Sequence, residues 1–457
     1  MRKKFNVAVV GGGIGGCMSA IMASKLPDTE VHLYEKKGDI LTGLPFCHLH
    51  AGGFLYPMLS IDECTELLYH SLEFAEFFHD CLIYRPTIVA YRASNASSSA
   101  IRANKVSSNK ASSLESGRCE AFSPKDLINK CEVIQQKYKE YCDKTNSYVL
   151  GHPDEYYHIY TREDLLAARM DNQSPLNLAT PLNLATPLEL ATPLVLLSKI
   201  LNNIDDIQYP FISVMEPSIS MEKVYNKIKK IFDETGNIIV HTGTAVKIKE
   251  LFDNFDYVIN ATGYENGNVF SDALLELKAS WMIRNNSFTN VKLPEIAIIG
   301  ERGTDNGLVQ ISQSEDPSIF QIHAMTNDSS IFECVKELSN FSKENIDIIY
   351  KNKIPDEIIY TRTKNGIKHI GKLFNIFVDS EVVLDNSPFS YTPFHQPIAW
   401  GVQRIVKKEG SFNRAWGKAI DNRTADIIFP DKNYAEVQII KGISSVTASN
   451  KLLKKLK

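Results

Sequence analysis

Several classes of protein are excluded by what this 457-residue chain does not contain. Its eight cysteines, Cys17, Cys47, Cys64, Cys81, Cys119, Cys131, Cys142 and Cys334, include no C-x-x-C pair and lack a histidine pair at zinc-ligand spacing. They read as reduced thiols, and no metal site is expected. No apolar run approaches the roughly 18 residues that span a bilayer. The apolar stretch after Met1-Arg2-Lys3-Lys4 is too short for a secretory signal. Lys and Arg number 50 against 54 Asp and Glu, a net charge of −4 that disfavours a nucleic-acid partner. These absences predict a cytoplasmic protein. With 44% hydrophobic and 23% charged residues, the chain is neither disordered nor fibrous. At about 100–200 residues per domain it divides into two or three units.

The first 35 residues carry the sharpest pattern. Phe5-Asn6-Val7-Ala8-Val9-Val10 is a β-branched run of the kind buried on both faces in a parallel sheet. Gly11-Gly12-Gly13-Ile14-Gly15-Gly16 follows, with G-x-G-x-x-G at Gly11, Gly13 and Gly16, and then a helix expected over Cys17–Leu26 and stopped at Pro27-Asp28. A second strand, Glu30–Glu35, closes a βαβ unit. The first glycine permits the tight turn, the second the approach of a pyrophosphate and the third close strand–helix packing, while the helix N-terminus faces the negative charge. Glu35 ends the second strand, where a carboxylate accepts from a ribose diol and repels a 2′-phosphate. The ligand implied is an unphosphorylated adenosine dinucleotide, with Gly11, Gly13, Ile14, Gly16, Glu35 and Lys36 as its first contacts.

Farther along, 93–117 is crowded with Ser, Asn and Ala and reads as a surface insertion. Ser123-Pro124 opens a helix to about Cys142. A hexapeptide repeat occupies 175–194, with prolines at 175, 181, 187 and 193, which forbids a continuous helix. It is either an expanded loop or a docking arm, and the second reading would make the protein an interaction module with a structural dinucleotide. Ser220 opens a further helix; strands are expected over Asn237–His241, Thr244–Ile248 and Asp256–Gly263, and again at Ile296–Gly300 and Phe320–His323. The last helix opens near Gly442 and ends in Lys451-Leu452-Leu453-Lys454-Lys455-Leu456-Lys457, a basic tail suited to solvent or to an anionic membrane surface. The fold class expected is α/β, a Rossmann-like dinucleotide-binding domain (1–85, 205–275 and 415–457) interleaved with an α+β substrate domain (86–204 and 276–414).

The strand ending in Ala261-Thr262-Gly263, with Val246 expected on its neighbour, favours FAD over NAD. With these residues, the chain resembles FAD-dependent oxidoreductases of the glutathione-reductase-like superfamily, in the D-amino-acid-oxidase fold group. Pro45–Gly53, Gly300-Glu301-Arg302-Gly303-Thr304 and Glu436–Gly442 further resemble the bacterial malate:quinone oxidoreductases, although His48-Leu49-His50-Ala51-Gly52-Gly53 departs from the Asn-Ala-Gly-Thr-Gly-His of better-known members. The resemblance implies FAD-dependent oxidation of (S)-malate to oxaloacetate, with electrons passed to a quinone at a membrane. The alternative is an oxidase or dehydrogenase of amino acids or another 2-hydroxy acid.

Such chemistry needs a cationic carboxylate clamp and a base for the hydroxyl proton. Arg302 suits the clamp, or pairs with Glu301 at the surface; Arg85 and Arg404 are further candidates. His323, in an apolar run, is a candidate base or a core histidine satisfied by backbone. His48 and His50 share a side if their loop is extended and would orient flavin or substrate. Ser444 and Ser445, at the N-terminus of the last helix, would stabilise negative charge on the flavin.

Overall fold

The computed structural model describes residues 4–43, 46–57, 59–93, 123–171, 191–264, 274–288, 292–301, 303–384, 398–405, 426–439 and 441–457. The insertion is therefore described only at residue 93 and the hexapeptide repeat only at 191–194, where it opens the helix Ala191–Ile200.

Three sheets organise the chain. The first contains β1 (Phe5–Val10), β2 (Thr29–Tyr34), β9 (Ile238–His241), β10 (Tyr257–Asn260), β18 (Asp426–Asp431) and β19 (Tyr434–Gln438), in the order β18-β19-β10-β1-β2-β9. All neighbours run parallel except the β18–β19 hairpin. The second joins β3 (Phe46–His48), β4 (Leu82–Ile83) and β8 (Ser218–Ser220). The third has ten strands: β5 (Thr87–Tyr91), β6 (Tyr157–Tyr160), β7 (Phe211–Val214), β11 (Leu274–Arg284), β12 (Glu295–Ile299), β13 (Val309–Gln313), β14 (Ile319–Ala324), β15 (Phe332–Val335), β16 (Glu381–Val382) and β17 (Ala399–Ile405). The chain is thus α/β with a Rossmann-type parallel half, as its opening residues imply.

Local signals explain most elements. β1 sits centrally, so the side chains of Val7, Ala8 and Val9 are fully buried. Ser220 caps the helix Met221–Thr235 by accepting from Lys223 N at 3.3 Å, and Gly236 ends it at φ +70°. Val224, Ile228 and Phe232, four apart, are the face that this helix buries. Ser123 likewise caps Pro124–Thr145.

One expected strand is missing. Residues 244–247 have no regular structure, and Ile248–Leu251 is helical. β9 already occupies the sheet edge beside β2, and Gly243 N donates to Lys37 O at 2.6 Å, so the chain turns across the strand ends instead of adding to the sheet. Val246 is therefore not on a strand; it packs, half-buried, against the small cluster of Ala8, Val10, Leu251 and Val258.

The ten-stranded sheet has two unlike faces. Its register puts Trp281, Ile296, Ile298, Val309, Ile311, Phe320 and Ile322 on one side, where they pack against Ile367 and Ile370 of the helix Asp356–Gly371 and against Phe374 and Phe377 beyond it. The other side carries Thr87, Glu295, Gln310, Ser312, Gln321, His323 and Ser280, and its apolar members Val89, Ala297 and Ile299 join the core shared with the parallel half. Strict alternation thus turns a polar wall toward the dinucleotide-type unit. Phe320, fully buried and edge-packed on Phe288 and Phe377, anchors the apolar side. Phe320→Ala is expected to lower the unfolding free energy by about 3–5 kcal/mol. Urea denaturation measures it; a loss under about 1 kcal/mol would contradict this packing.

Candidate functional site

The glycine turn is built for close approach. Gly11, at φ +107°, has no room for a side chain because a Cβ would lie 2.5 Å from Ala261 O. A Cβ on Gly16 would lie 1.8 Å from Gly11 O, so strand and helix meet there backbone to backbone. Gly13 differs: a Cβ there would meet nothing within 4 Å, at the N-cap of the helix Ile14–Ala23, where no side chain caps the first turn. Backbone N–H groups thus open onto unfilled space beside a helix N-terminus, as a diphosphate requires. Glu35 stands at this mouth, its carboxylate accepting from Gly12 N at 2.6 Å and Lys37 N at 2.8 Å. Lys36 beside it is exposed.

Ala261, Thr262 and Gly263 leave β10 on the far side of the turn. Thr262 donates to Asn260 Oδ1 from its N–H at 3.1 Å and its hydroxyl at 2.7 Å, while Asn260 Nδ2 donates to Tyr434 OH. The helix Ser445–Leu456 packs on Ile14–Ala23, with Ser19 and Ser449 hydroxyls 3.4 Å apart. Ser444 is held by His70 Nδ1 at 2.9 Å, and burial, with the charge of Lys451, depresses this histidine to about 4. Ser445 Oγ is buried without a hydrogen-bond partner among the described residues. The open turn, the acid at its mouth and this unsatisfied hydroxyl are consistent with a bound dinucleotide.

A second cluster lies under the polar wall. His48 ends β3, with Nε2 2.6 Å from Glu216 Oε2 and Nδ1 2.9 Å from Glu295 Oε2; all three residues are buried. Gln310 donates to Glu295 Oε1 at 2.5 Å, Arg85 donates to Ser218 Oγ at 2.7 Å, and Ser218 donates to Glu295 Oε2 at 3.4 Å. Burial alone would discharge His48, but the charges of Glu295 and Glu216 outweigh it and hold the imidazolium up to about 10. Glu295, which burial would push up, is held down to about 2, chiefly by His48.

His50 does not follow in extended backbone. Its φ is +58°, and its carbonyl accepts from Gly52 N and Gly53 N, so the chain coils and the ring meets His48 edge-on at 4.5 Å. The two histidines therefore touch, instead of projecting side by side from an extended loop. His50 Nε2 lies 3.1 Å from Lys441 Nζ, which also donates to the Tyr56 hydroxyl and sits 4.1 Å from that ring's centroid. Lys441 precedes Gly442, and a Cβ on Gly442 would lie 3.8 Å from Ile14, so this trio borders the glycine turn. Burial pushes the Cys47 thiol up, and it also feels the charges of Lys441, Glu295 and Lys278, the last on the wall strand β11.

His323 lies on the wall, opposite Gln310 across β13–β14 and 3.4 Å from Gln321 Nε2. Arg302 falls outside the described residues, and Arg404 pairs with Leu275 in the β11–β17 register. Glu216, Glu295, Lys441, Tyr56 and Lys278 were not singled out by sequence. One signal was present, since Glu295 heads the otherwise apolar run Ile296–Ile299.

No protein-family model matches the chain, and no curated protein matches it in sequence. Solved structures similar to it include glycine oxidase from Geobacillus kaustophilus, at 9% identity and TM-score 0.54, over 99% of this chain and 95% of that one. Iminodiacetate oxidase from Chelativorans sp. BNC1 shows 8% identity and TM-score 0.53 over 98% and 95%. L-α-glycerophosphate oxidase from Mycoplasma pneumoniae, a structure with FAD bound, shows 10% and 0.50 over 99% and 95%. The likeness is one of fold, extending over essentially the whole chain.

The buried ion cluster makes stability depend on pH. His48 contributes fully below its ordinary 6.5, and that contribution is lost as pH rises toward about 10. Glu295 contributes fully above 4.5 and loses its contribution as pH falls toward about 2. Together they contribute most between pH 4.5 and 6.5. Glu295→Gln is expected to cost about 3–5 kcal/mol and to bring the alkaline fall in melting temperature to lower pH. A melting profile unchanged above pH 6.5 would refute the assigned charges.

Proposed function

We propose that this protein is an FAD-dependent oxidoreductase of small carboxylates. The open glycine turn beside Glu35, set against a polar wall, is the observation that carries the reading. Gly11, Gly13, Ile14 and Gly16 would hold the diphosphate, and Glu35, with Lys36 next to it, the ribose side. Ala261, Thr262 and Gly263 would border the dinucleotide, Val246 the adenosine end, and Ser444 and Ser445 the flavin end. FAD would supply the acceptor for a hydride from the substrate carbon.

The chain's own residues have distinct tasks. Lys441, Glu295 and Lys278 all act electrostatically on the buried Cys47 thiol, so charged groups of both signs surround this space. Arg302 is the sequence's candidate for a carboxylate clamp. His48, held as an imidazolium, already carries its proton at neutral pH and therefore orients His50 instead of accepting one. That leaves His323 and His50 as bases for the substrate's hydroxyl or amine proton.

The finer reading is oxidation of (S)-malate to oxaloacetate, C2 giving the hydride and the hydroxyl giving the proton, with a membrane quinone taking the electrons. It rests on the three segments that resemble malate:quinone oxidoreductases, one of which supplies His48 and His50. In the last helix Leu452 is buried and Lys451, Lys454 and Lys455 are exposed, an arrangement compatible with a membrane surface. No described helix is long and apolar enough to cross a membrane. Oxidation of an amino acid is the second reading, favoured by the likeness to a glycine oxidase and an iminodiacetate oxidase.

Purified protein should show flavin absorbance, and anaerobic malate should bleach it. Bleaching by glycine or another amino acid but not by malate reverses the order of the two readings. Gly13→Ala should keep the fold by circular dichroism yet bind FAD about tenfold more weakly, roughly 1.4 kcal/mol. Gly16→Ala, by contrast, should fail to fold, and equal FAD affinity in Gly13→Ala would reject the cradle.

A further inference from the structure

We infer that Arg92 and His369 form a binding site for a phosphate group that keeps one proton; the site lies across the ten-stranded sheet from the polar wall and stands whether or not the chain binds FAD. β5 sends Ile88 and Ala90 into the core shared with the helix Asp356–Gly371, and Val89 and Tyr91 into the other core. Arg92 continues this alternation, because an isolated bridge to Ile207 and a bond from its N–H to Ile299 O at 2.8 Å keep it in the sheet. Its side chain therefore falls on the side of the helix that carries His369. The charge of Arg92 reaches the His369 imidazole, so the two groups lie within electrostatic range of each other.

Each group is left with one atom unused. Arg92 Nη1 is buried and has no hydrogen-bond partner among the described residues. Asp206 acts on this guanidinium through its charge, not through a hydrogen bond to Nη1. His369 is 3% exposed, and its Nε2 lies 3.3 Å from Gly307 O, a carbonyl that can only accept. Nε2 therefore carries the proton, and Nδ1 is a bare acceptor, buried and without a partner among the described residues. Burial, helped by the charges of Arg92 and Lys372 against the Gly307 bond and Asp328, brings this imidazole down to about 4. The Gly307 carbonyl is fixed in turn, since a Cβ on that glycine would lie 2.2 Å from Met325 O.

A buried donor and a buried acceptor are both costly to leave unpaired. Whatever completes them must accept from the guanidinium and donate to the imidazole. The surrounding charges are mixed, Arg92 and Lys372 against Asp206 and Asp328, so the hydrogen-bonding pattern and not a surplus of charge does the selecting. A carboxylate or a sulfate only accepts. Water meets both geometric demands but leaves the guanidinium charge unpaired. A singly protonated phosphate offers anionic oxygens that match the guanidinium fork and a P–OH to give to Nδ1.

Calorimetry of the full chain at neutral pH, with inorganic phosphate against sulfate of the same shape but no proton, tests the site without any variant. Phosphate should bind at least about tenfold more tightly than sulfate and should raise the melting temperature as its concentration rises. Arg92→Met should weaken phosphate about tenfold or more, and His369→Phe should bring phosphate and sulfate to similar affinity, with circular dichroism reporting that each variant folds. Methyl phosphate below its second pKa of about 6 separates two sources of the group. Affinity equal to that of phosphate assigns the head of a phosphate ester and weaker affinity the free ion, and both uphold the site. A parent that binds neither anion, or binds sulfate as well as phosphate, overturns the assignment. Parental phosphate affinity in folded Arg92→Met does so too, as does an undiminished preference for phosphate in folded His369→Phe. If neither variant folds, the comparison of phosphate with sulfate in the parent decides alone.

Discussion

The rest of the site hangs on one buried imidazolium. His48 closes the short β3 strand, Glu216 belongs to the connection from the ten-stranded sheet to β8, and Glu295 heads β12 within that sheet. Three remote parts of the chain thus meet on a single ring, which fixes where the small sheet lies against the polar wall. Glu295 is further tied down by Gln310 and Ser218, whereas Glu216 is anchored by its backbone carbonyl, which accepts from Thr87, and leaves Oε1 buried without a hydrogen-bond partner among the described residues. A buried charge of this kind is poor insurance for stability, because desolvation takes back much of what attraction provides. Its value is positional. Replacing the trio by apolar side chains of similar volume would pack well and lose the orientation of His50, which touches His48 edge-on.

The polar wall follows from the period of a strand. Each strand alternates its side chains, so a sheet covered on one face by the helix Asp356–Gly371 and on the other by the parallel half could have been apolar on both. Instead Ser280, Gln321, Ser312, Gln310 and Glu295 share the face that joins the core of the parallel half. Buried polar groups of this number are stable only where they bond one another. Gln321 to Ser280 at 2.5 Å and Gln310 to Glu295 at 2.5 Å are two such bonds.

The sequence was most legible where chemistry and backbone conformation coincide. Gly11 and Gly16 could be read in advance because no other residue fits those backbone positions, and Glu35 because a strand ended there. The helix Met221–Thr235 announced itself through Ser220 and the spacing of Val224, Ile228 and Phe232. The supposed strand at 244–248 failed for a reason no local pattern contains, namely that the chain turns across the strand ends after β9 instead of adding to the sheet. Glu216 and Lys441 were invisible on similar grounds. They acquire meaning only through partners 168 and 391 residues away. The condition on His50, an extended loop, is not met, because the histidine adopts the left-handed region, which nothing in the sequence announces beyond the turn marked by Gly52 and Gly53 nearby.

What couples the glycine turn to the His48–His50 cluster is the start of the last helix. Gly15 leaves no room beside Ile439, since a Cβ would lie 2.5 Å from its Cδ1, and Gly442 approaches Ile14 closely. Lys441 lies next to Gly442, within this pair of close approaches to the glycine turn. Ser444, one turn later, is gripped by His70 from the long helix Ile61–Phe77, whose Ser60 cap and Glu63 form a reciprocal pair. A cation beside His50 and a helix N-terminus beside Ile14 are thus fixed by one short stretch of backbone. A group bound in the cradle and the Lys441–His50 contact would share that stretch, so the position of one constrains the other through covalent geometry and close packing alone.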